Sequence, residues 1–411
     1  MTVRRTPRVA VIRHERYPLD NHVGRDVVAL RDAGFDVDVI CACEPGRPYV
    51  ERLDGVTVLR MPIRHKRGSM LRYAFEYATF PMLAAFTTMI NSVWRRYQYV
   101  EIRNMPDWLV LAAIIPKFLG AKTILYMNEN MPNLIATDRG LPADHRLVRT
   151  LLAVERICAS VADCLIAPHE MARDNLIGQG IPKDKIVVVP NVPDEQVFLA
   201  QTSHRAPEVS RLRSDGAQRE GDHGGHKAEE TGFHLVTHGS LLKRYGIQTL
   251  LEALAMLRGR IPGLHLEIIG EGEYRAQLEA QARRLDLGDC VAFSGWVPFD
   301  QVAPRLLRAD VGIVPMWEDF VPNKLMEYLV LSLPAIATDS PALRVYFDDG
   351  ALCYVERKNP RALADAILDL YLNPDRRFSL AARGRSVFRE RLAWERTRAT
   401  YLAVYEAGDR R

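Results

Sequence analysis

Residues Val311–Asp339 read VGIVPMWEDFVPNKLMEYLVLSLPAIATD, and the fold follows from how this stretch divides. Val311 to Pro315 is an apolar run of strand length. A polar loop follows, a helix opens near Asn323, and a second strand runs from Ala335 to Thr338. The loop ends in Pro322-Asn323, a turn-and-cap pair that starts a helix without a competing backbone donor. A helix N-terminus after a parallel strand presents unpaired N–H groups and a positive dipole end, which suits phosphate. Lys324 places a charge in the first turn, where it opposes the dipole unless an anion is bound. Glu327 lies one turn after Asn323, where a carboxylate can accept two hydrogen bonds from vicinal hydroxyls such as a ribose diol. Asp319 precedes it by eight positions, which sets two acidic groups around a phosphate-binding turn.

Outward from this unit the chain alternates strands and helices twice over. Strands are expected at Arg8–Arg13, Asp36–Cys41, Tyr99–Ile102, Lys122–Met127, Asp163–Ala167 and Lys185–Val189, with helical patterns between most of them, the first over Asn21–Gly34. Runs such as VDVI and IVVV are typical of parallel strands covered on both faces. A second set is expected at Phe233–His238, Leu264–Ile269, Cys290–Ser294, Val311–Pro315, Pro334–Thr338 and Ala351–Val355. Helices over Arg361–Leu372 and Asp375–Arg391 close this set, and an amphipathic helix over Ala393–Glu406 follows. Between the sets, residues 200–232 are polar and nearly free of large apolar side chains. They bury too little to offset ordering entropy and read as a linker or loop, their three histidines included. The expected organisation is an N-terminal Rossmann-like domain over 1–193, the linker, a second Rossmann-like domain over 233–391, and a terminal segment over 392–411 that returns to the first domain.

Composition agrees with two ordinary α/β cores. The 411 residues exceed what one core usually supports, and 48% hydrophobic with 26% charged residues is typical of a globular chain. The net charge of +4 is too small to argue for nucleic acid. It is uneven, with 26 Lys/Arg against 20 Asp/Glu over residues 1–193 and a small negative balance beyond. The six cysteines form no C-x-x-C pair and read as reduced core residues; Cys41 and Cys43 share a strand face but have no histidine nearby in sequence. No secretory apolar region and no spanning run of about 18 apolar residues is seen, so a cytoplasmic location is expected. Ser69–Tyr97, rich in aromatics and Met and flanked by arginines, reads mainly as a core helix. Its alternative is contact with the inner face of the plasma membrane, delivering a lipid-linked acceptor.

In α/β domains ligands sit in the loops after strands. The loop and helix from His238 to Leu254, HGSLLKRYGIQTLLEAL, carries Gly239 for close backbone approach, the cations Lys243 and Arg244, and Gly246 at a helix start, in outline a diphosphate site. Gly270-Glu271-Gly272 is a turn after a strand and carries no function by itself. A further strand ends at Phe293-Ser294-Gly295-Trp296-Val297-Pro298.

Taken in order and spacing from His234 to about Val355, these elements resemble the GT-B glycosyltransferases of the family-4, or group 1, kind. That resemblance implies two facing Rossmann-like domains around an interdomain cleft. It also implies a nucleotide-diphosphate-sugar as co-substrate without a further cofactor, retention of anomeric configuration, and no catalytic metal. Asp319 stands where the family's first Glu of E-x7-E is usual, and Glu327 matches the second. Arg244 fits a phosphate-binding base, Tyr245 stands where a lysine is common, and Ser240 where some members carry arginine. Trp296 and Val297 lie where the family receives the nucleotide base, with Asn323 and Lys324 at the donor helix. The first half resembles the acceptor domain. It offers His14 and Asp20 in the loop after the first strand, Gly24 opening the next helix, and Asn104 with Asp107 in YVEIRNMPDWL. The stretch LYMNENMP matches a segment usually written D-x-H-D-x-x-P. Asn128 stands at the His position and Glu129 at the Asp position. An amide cannot shuttle a proton, so either Glu129 takes the polar role or the chemistry leans on substrate groups. A glycan, lipid-linked or small-molecule acceptor is implied. A sugar-nucleotide epimerase and a catalytically silent scaffold of polysaccharide assembly are the alternatives.

Overall fold

The computed structural model describes residues 6–18, 21–64, 70–128, 130–142, 144–202 and 232–406. The apolar runs form fourteen strands among these residues, gathered into two sheets. The chain separates into unit 1, Met1–Asn191 with Glu395–Arg411, and unit 2, Val192–Trp394.

Unit 1 is built on eight strands: β1 (Arg8–Ile12), β2 (Asp36–Ala42), β3 (Val50–Leu53), β4 (Val56–Met61), β5 (Tyr99–Arg103), β6 (Lys122–Tyr126), β7 (Cys164–Ala167) and β8 (Ile186–Val188). Their order is β3-β4-β2-β1-β5-β6-β7-β8, and every pair is parallel except β3 with β4. The chain reverses its direction of winding between β1 and β5, so the crevice beyond those two strand ends is the switch point where α/β sheets bind ligands. The edge hairpin β3–β4 was not among the expected strands. Its signal is Asp54-Gly55, both with positive φ (50° and 86°), between alternating β-formers.

The helix Trp394–Glu406 belongs to unit 1 from Glu395 onward, and its packing there is polar. Tyr401 and Tyr405 both donate their hydroxyls to Glu101, the former at 2.7 Å, and the phenol of Tyr99 reaches the Tyr405 carbonyl. Arg103 donates to Glu101 at 2.8 Å and to Asp26, and lies over the Tyr126 ring at 4.3 Å. Burial opposes the Arg103 charge, but Glu101 and Asp26 outweigh it and hold the guanidinium well above its ordinary value. Charges this deep persist only because each has a partner.

The helix Met70–Arg95 has two faces rather than the single core face expected of it. Phe80, Ala84, Thr88 and Ser92 are buried, with the Thr88 hydroxyl donating to the Ala112 carbonyl at 2.7 Å. Phe75, Met82, Phe86 and Val93 are 58–72% exposed, and at 100° per residue their spacings of 7, 4 and 7 bring them onto one line. Leu111, Ile115, Phe118 and Leu119, from the short helical segments that pack beside this helix, are also exposed.

Unit 2 is a wholly parallel sheet of β9 (Phe233–His238), β10 (Leu264–Ile269), β11 (Val291–Gly295), β12 (Val311–Val314), β13 (Ala335–Thr338) and β14 (Cys353–Val355), in the order β11-β10-β9-β12-β13-β14. Its switch point lies between β9 and β12. The tract expected as a linker begins later than Ala200, because Asp194 caps a helix over Glu195–Ala200. The rest of that tract, 203–231 with its histidines, lies outside the described residues.

One buried acid in unit 1 makes the fold sensitive to pH. Glu155 accepts from the Gln179 amide at 2.7 Å, and burial, then the charge of Asp107, pushes its carboxyl up from 4.5 to about 7. A carboxyl held above its unfolded value contributes stability fully below pH ~4.5, and that contribution is lost as pH rises through about 7. Glu155→Gln is expected to raise stability by about 1–3 kcal/mol at pH 8.5 and to change it little at pH 5. Urea unfolding at the two pH values checks this, and an equal difference at both would show that Glu155 is ionised throughout.

Candidate functional site

The unit 2 site is made by backbones that meet where side chains are missing. Gly246, at φ 72°, lies so close to the β12 end that a Cβ there would fall 1.8 Å from the Pro315 carbonyl oxygen. A Cβ on Gly270 would fall 1.9 Å from the Gly239 oxygen, and one on Gly272 2.2 Å from the Leu241 oxygen. The loops after β9 and β10 are therefore zipped together, with Gly239 N–H donating to Ile269 and Leu241 N–H to Glu271, both at 2.9 Å. Gly270 and Gly272 thus have a structural purpose of their own.

The helix Asn323–Val330 starts beside these loops. Lys324, in its first turn, is 7% exposed, and its ammonium has no hydrogen-bond partner among the described residues. It points to the face of Tyr245 (5.1 Å), and its Cε and Nζ lie 3.6 and 3.7 Å from where a Gly239 Cβ would be. Burial lowers the Lys324 ammonium from 10.5 to about 8, against the opposing charge of Glu327.

Glu327 is not free-standing. His238, the last residue of β9, meets its Oε2 through Nε2 at 2.6 Å, while His238 Nδ1 lies 3.1 Å from the Tyr328 hydroxyl. Tyr328 is wholly buried over Gly312, where any Cβ would strike its ring. Glu327 is thereby fixed in direction with its other oxygen available. Neither His238 nor Tyr328 was singled out from the sequence; a histidine ending the strand just before Gly239 was the available signal.

Arg244 and Asp319 are paired. Arg244 Nε faces Glu318 at 3.5 Å, its carbonyl accepts from Trp317 N–H at 2.9 Å, and its guanidinium lies 5.3 Å from the Tyr245 ring. Asp319 is in an ion pair with Arg357, a partner from beyond β14 that nothing in the loop sequence announces. Lys243 is exposed on the short 3-10 turn, where its carbonyl accepts from Gln248 at 2.8 Å. Ser240 is half-buried beside it, Val297 is nearly buried, and Trp296 is 70% exposed just after β11.

In unit 1, β1 and β5 bring His14 and Asn104 to the switch point. Arg13 ties the two strand ends by donating to the Asn104 carbonyl at 2.7 Å. His14 is not a loop-edge group. It is buried, with its ring 4.6 Å from Phe80 and 5.6 Å from Tyr77. The buried Asn104 amide donates to Asp107 at 3.0 Å, and burial, opposed by that bond, raises the Asp107 carboxyl to about 6. Gly24 does not open a helix. It sits inside Asn21–Asp32, where a Cβ would touch the Pro18 carbonyl at 3.8 Å. Asn128 is half-buried after β6, and Asn130 caps the following helix through Asn133 N–H at 2.8 Å. Asp20 and Glu129 lie outside the described residues.

Comparison with known proteins gives this arrangement a family. The model described as Glycosyl transferases group 1 matches residues 218–387, and that described as Glycosyl transferase 4-like domain matches 19–192. The chain belongs to the group 1 glycosyl transferase family. A lipopolysaccharide core biosynthesis glycosyltransferase, LpsE, of Rhizobium meliloti is 28% identical over 41% of this chain and 48% of its own length. The alignments thus span about half the length of the first curated relatives. Sucrose-phosphate synthase from Thermosynechococcus elongatus superposes over 98% of both chains with TM-score 0.75 and 18% identity. HepE of Anabaena, solved in complex with UDP, covers 98% of this chain and 100% of its own with TM-score 0.67 and 14% identity. At such identities the likeness shows the fold, which is GT-B with two Rossmann-like domains.

Proposed function

We propose that this chain is a retaining glycosyltransferase that moves a sugar from a nucleotide-diphosphate-sugar to a glycan or lipid-linked acceptor without a catalytic metal. The observation that carries the reading is the unit 2 switch point, where a helix N-terminus, a buried lysine and a carboxylate aimed by His238 converge. A diphosphate suits the first two and a ribose diol the third. LpsE, by its name, builds a lipopolysaccharide core, and HepE is titled as a UDP complex, which supports this donor and acceptor class.

In this reading Glu327 accepts from the ribose hydroxyls, and Asp319 orients a donor-sugar hydroxyl while Arg357 balances its charge. Arg244, Lys243, Lys324 and helix N–H groups stabilise the diphosphate as it leaves. The bond from the anomeric carbon to the diphosphate oxygen breaks as the acceptor oxygen bonds on the same face. The leaving phosphate then takes the acceptor proton, so that Asn128 needs no proton of its own. Acceptor recognition belongs to the strand ends of unit 1.

Glu327→Ala is expected to weaken binding of UDP or GDP by about 1.5–3 kcal/mol without unfolding the chain, read by calorimetry and thermal melting. Unchanged affinity for every nucleoside diphosphate would remove Glu327 from the site.

The donor loops hold cations and no D-x-D pair, which favours charge stabilisation by side chains. Arg244→Ala is therefore expected to lower kcat by about 10²–10³, with EDTA leaving the rate of the wild type nearly unchanged. Activity abolished by EDTA and restored by Mg²⁺ or Mn²⁺ would overturn the metal-free mechanism.

Among the described residues no helix is long and apolar enough to cross a membrane. The exposed apolar line on Met70–Arg95, with exposed Arg64, Arg72 and Arg96 near its ends, supports a peripheral contact with an anionic bilayer. The double variant Phe86→Asp, Val93→Asp is expected to reduce co-sedimentation with phosphatidylglycerol vesicles at least about tenfold, since each side chain buries apolar area in the interface. Equal sedimentation of variant and wild type would exclude that face.

A further inference from the structure

We propose that Lys324 is the cation that meets the donor diphosphate in place of the loop lysine displaced by Tyr245, and that it takes up a proton as the anion enters. This inference rests on the donor-site reading above and adds a chemical coupling to it. Three features of its surroundings act against a charge on Lys324. Its side chain is buried, its Nζ has no hydrogen-bond partner among the described residues, and it stands in the first turn of an eight-residue helix, whose dipole repels a cation.

The groups around it do not supply what is missing. On its own helix Glu327 is turned to His238 from the end of β9. From the 3-10 turn Tyr245 offers a ring face, and the neighbouring Arg244 is directed to Glu318 from the loop after β12. Asp319, in the same loop, is paired with Arg357 from beyond β14. Among these buried groups Lys324 holds unmatched donor capacity. Burial lowers it to about 8, so a large neutral fraction exists above that pH.

A diphosphate entering at the helix N-terminus replaces lost hydration with anionic oxygens and returns the lysine to its charged form. The balance is simple. The amine lone pair binds one proton from solvent, one N–H bond forms, and the ammonium donates to a phosphate oxygen. Tyr245 acts from the other side: its ring lies over the Lys324 ammonium at 5.1 Å and helps keep it from water.

The test is calorimetric titration of UDP and of GDP at pH 8.5, below the range in which the uracil and guanine ring N–H groups ionise, in two buffers of different ionisation enthalpy. Phosphate oxygens titrate near pH 6 and are already ionised there. The wild type is expected to take up roughly half to one proton per nucleotide bound. Lys324→Arg, which keeps its charge at this pH, is expected to bind with no uptake. Lys324→Met, which keeps the volume, is expected to bind at least about tenfold more weakly. Tyr245→Lys added to Lys324→Met is expected to recover affinity without uptake. Nucleotide binding by the wild type with no proton uptake, or equal affinity of Lys324→Met and wild type, would overturn the coupling. Failure of both nucleotides to bind the wild type at any pH would instead overturn the donor reading, and this proposal with it.

Discussion

Three carbonyl oxygens, those of Pro315, Gly239 and Leu241, occupy the places where side chains of residues 246, 270 and 272 would begin. That exclusion is the condition on which the unit 2 site depends. Parallel strands deliver their loops to one edge, but a Cβ at these positions would fall well inside van der Waals contact and push those loops apart. With glycine at each contact the backbones close, Tyr245 is pressed over the first turn of the Asn323–Val330 helix, and Lys324 is sealed from water. The electrostatics of the site follow from a steric fact about missing atoms.

The second principle of the site is charge held in reserve by pairing. Arg244 faces Glu318, Asp319 faces Arg357 and Glu327 faces His238, so these three groups, suited to a nucleotide sugar, already have protein partners. In the proposed reading a nucleotide sugar would exchange partners at these three pairs and meet an unpartnered ammonium only at Lys324, and the net gain of each exchange would be smaller than its gross electrostatic energy. Selectivity in that reading would rest on geometry: an anion must offer oxygens to the helix end while a diol reaches the open side of Glu327.

Much of this was legible beforehand because it is local. The β-branched runs, the glycines of the loop at 239–246 and the helix start at Pro322-Asn323 are all short-range patterns, and the strands and that helix lie where those patterns set them, although Asn323 is the first helical residue and the expected side-chain cap is not made. The β3–β4 hairpin was equally legible, from Asp54-Gly55, and was passed over. What sequence did not disclose are pairings without a period: His238 with Glu327 lies 89 positions apart, and Arg357 with Asp319 lies 38 apart. Their encounter is decided by strand order, which no local window contains. His14 illustrates the same limit in reverse. A polar residue in a post-strand loop looks available, yet Phe80 and Tyr77 on a distant helix claim its ring.

The clasp at Glu101 also orders events in time. Unit 2 is continuous in sequence, whereas unit 1 is closed by Tyr401 and Tyr405, which follow unit 2 along the chain. Until they emerge, Glu101 has Arg103 but lacks the two hydroxyls that satisfy its other oxygen. A nascent chain therefore carries a complete second unit before its first unit has its final polar lock, contrary to the usual N-terminal-first succession of domains. Premature termination anywhere before Tyr401 leaves a buried carboxyl without its two phenolic donors inside unit 1, although every residue of both switch points is present.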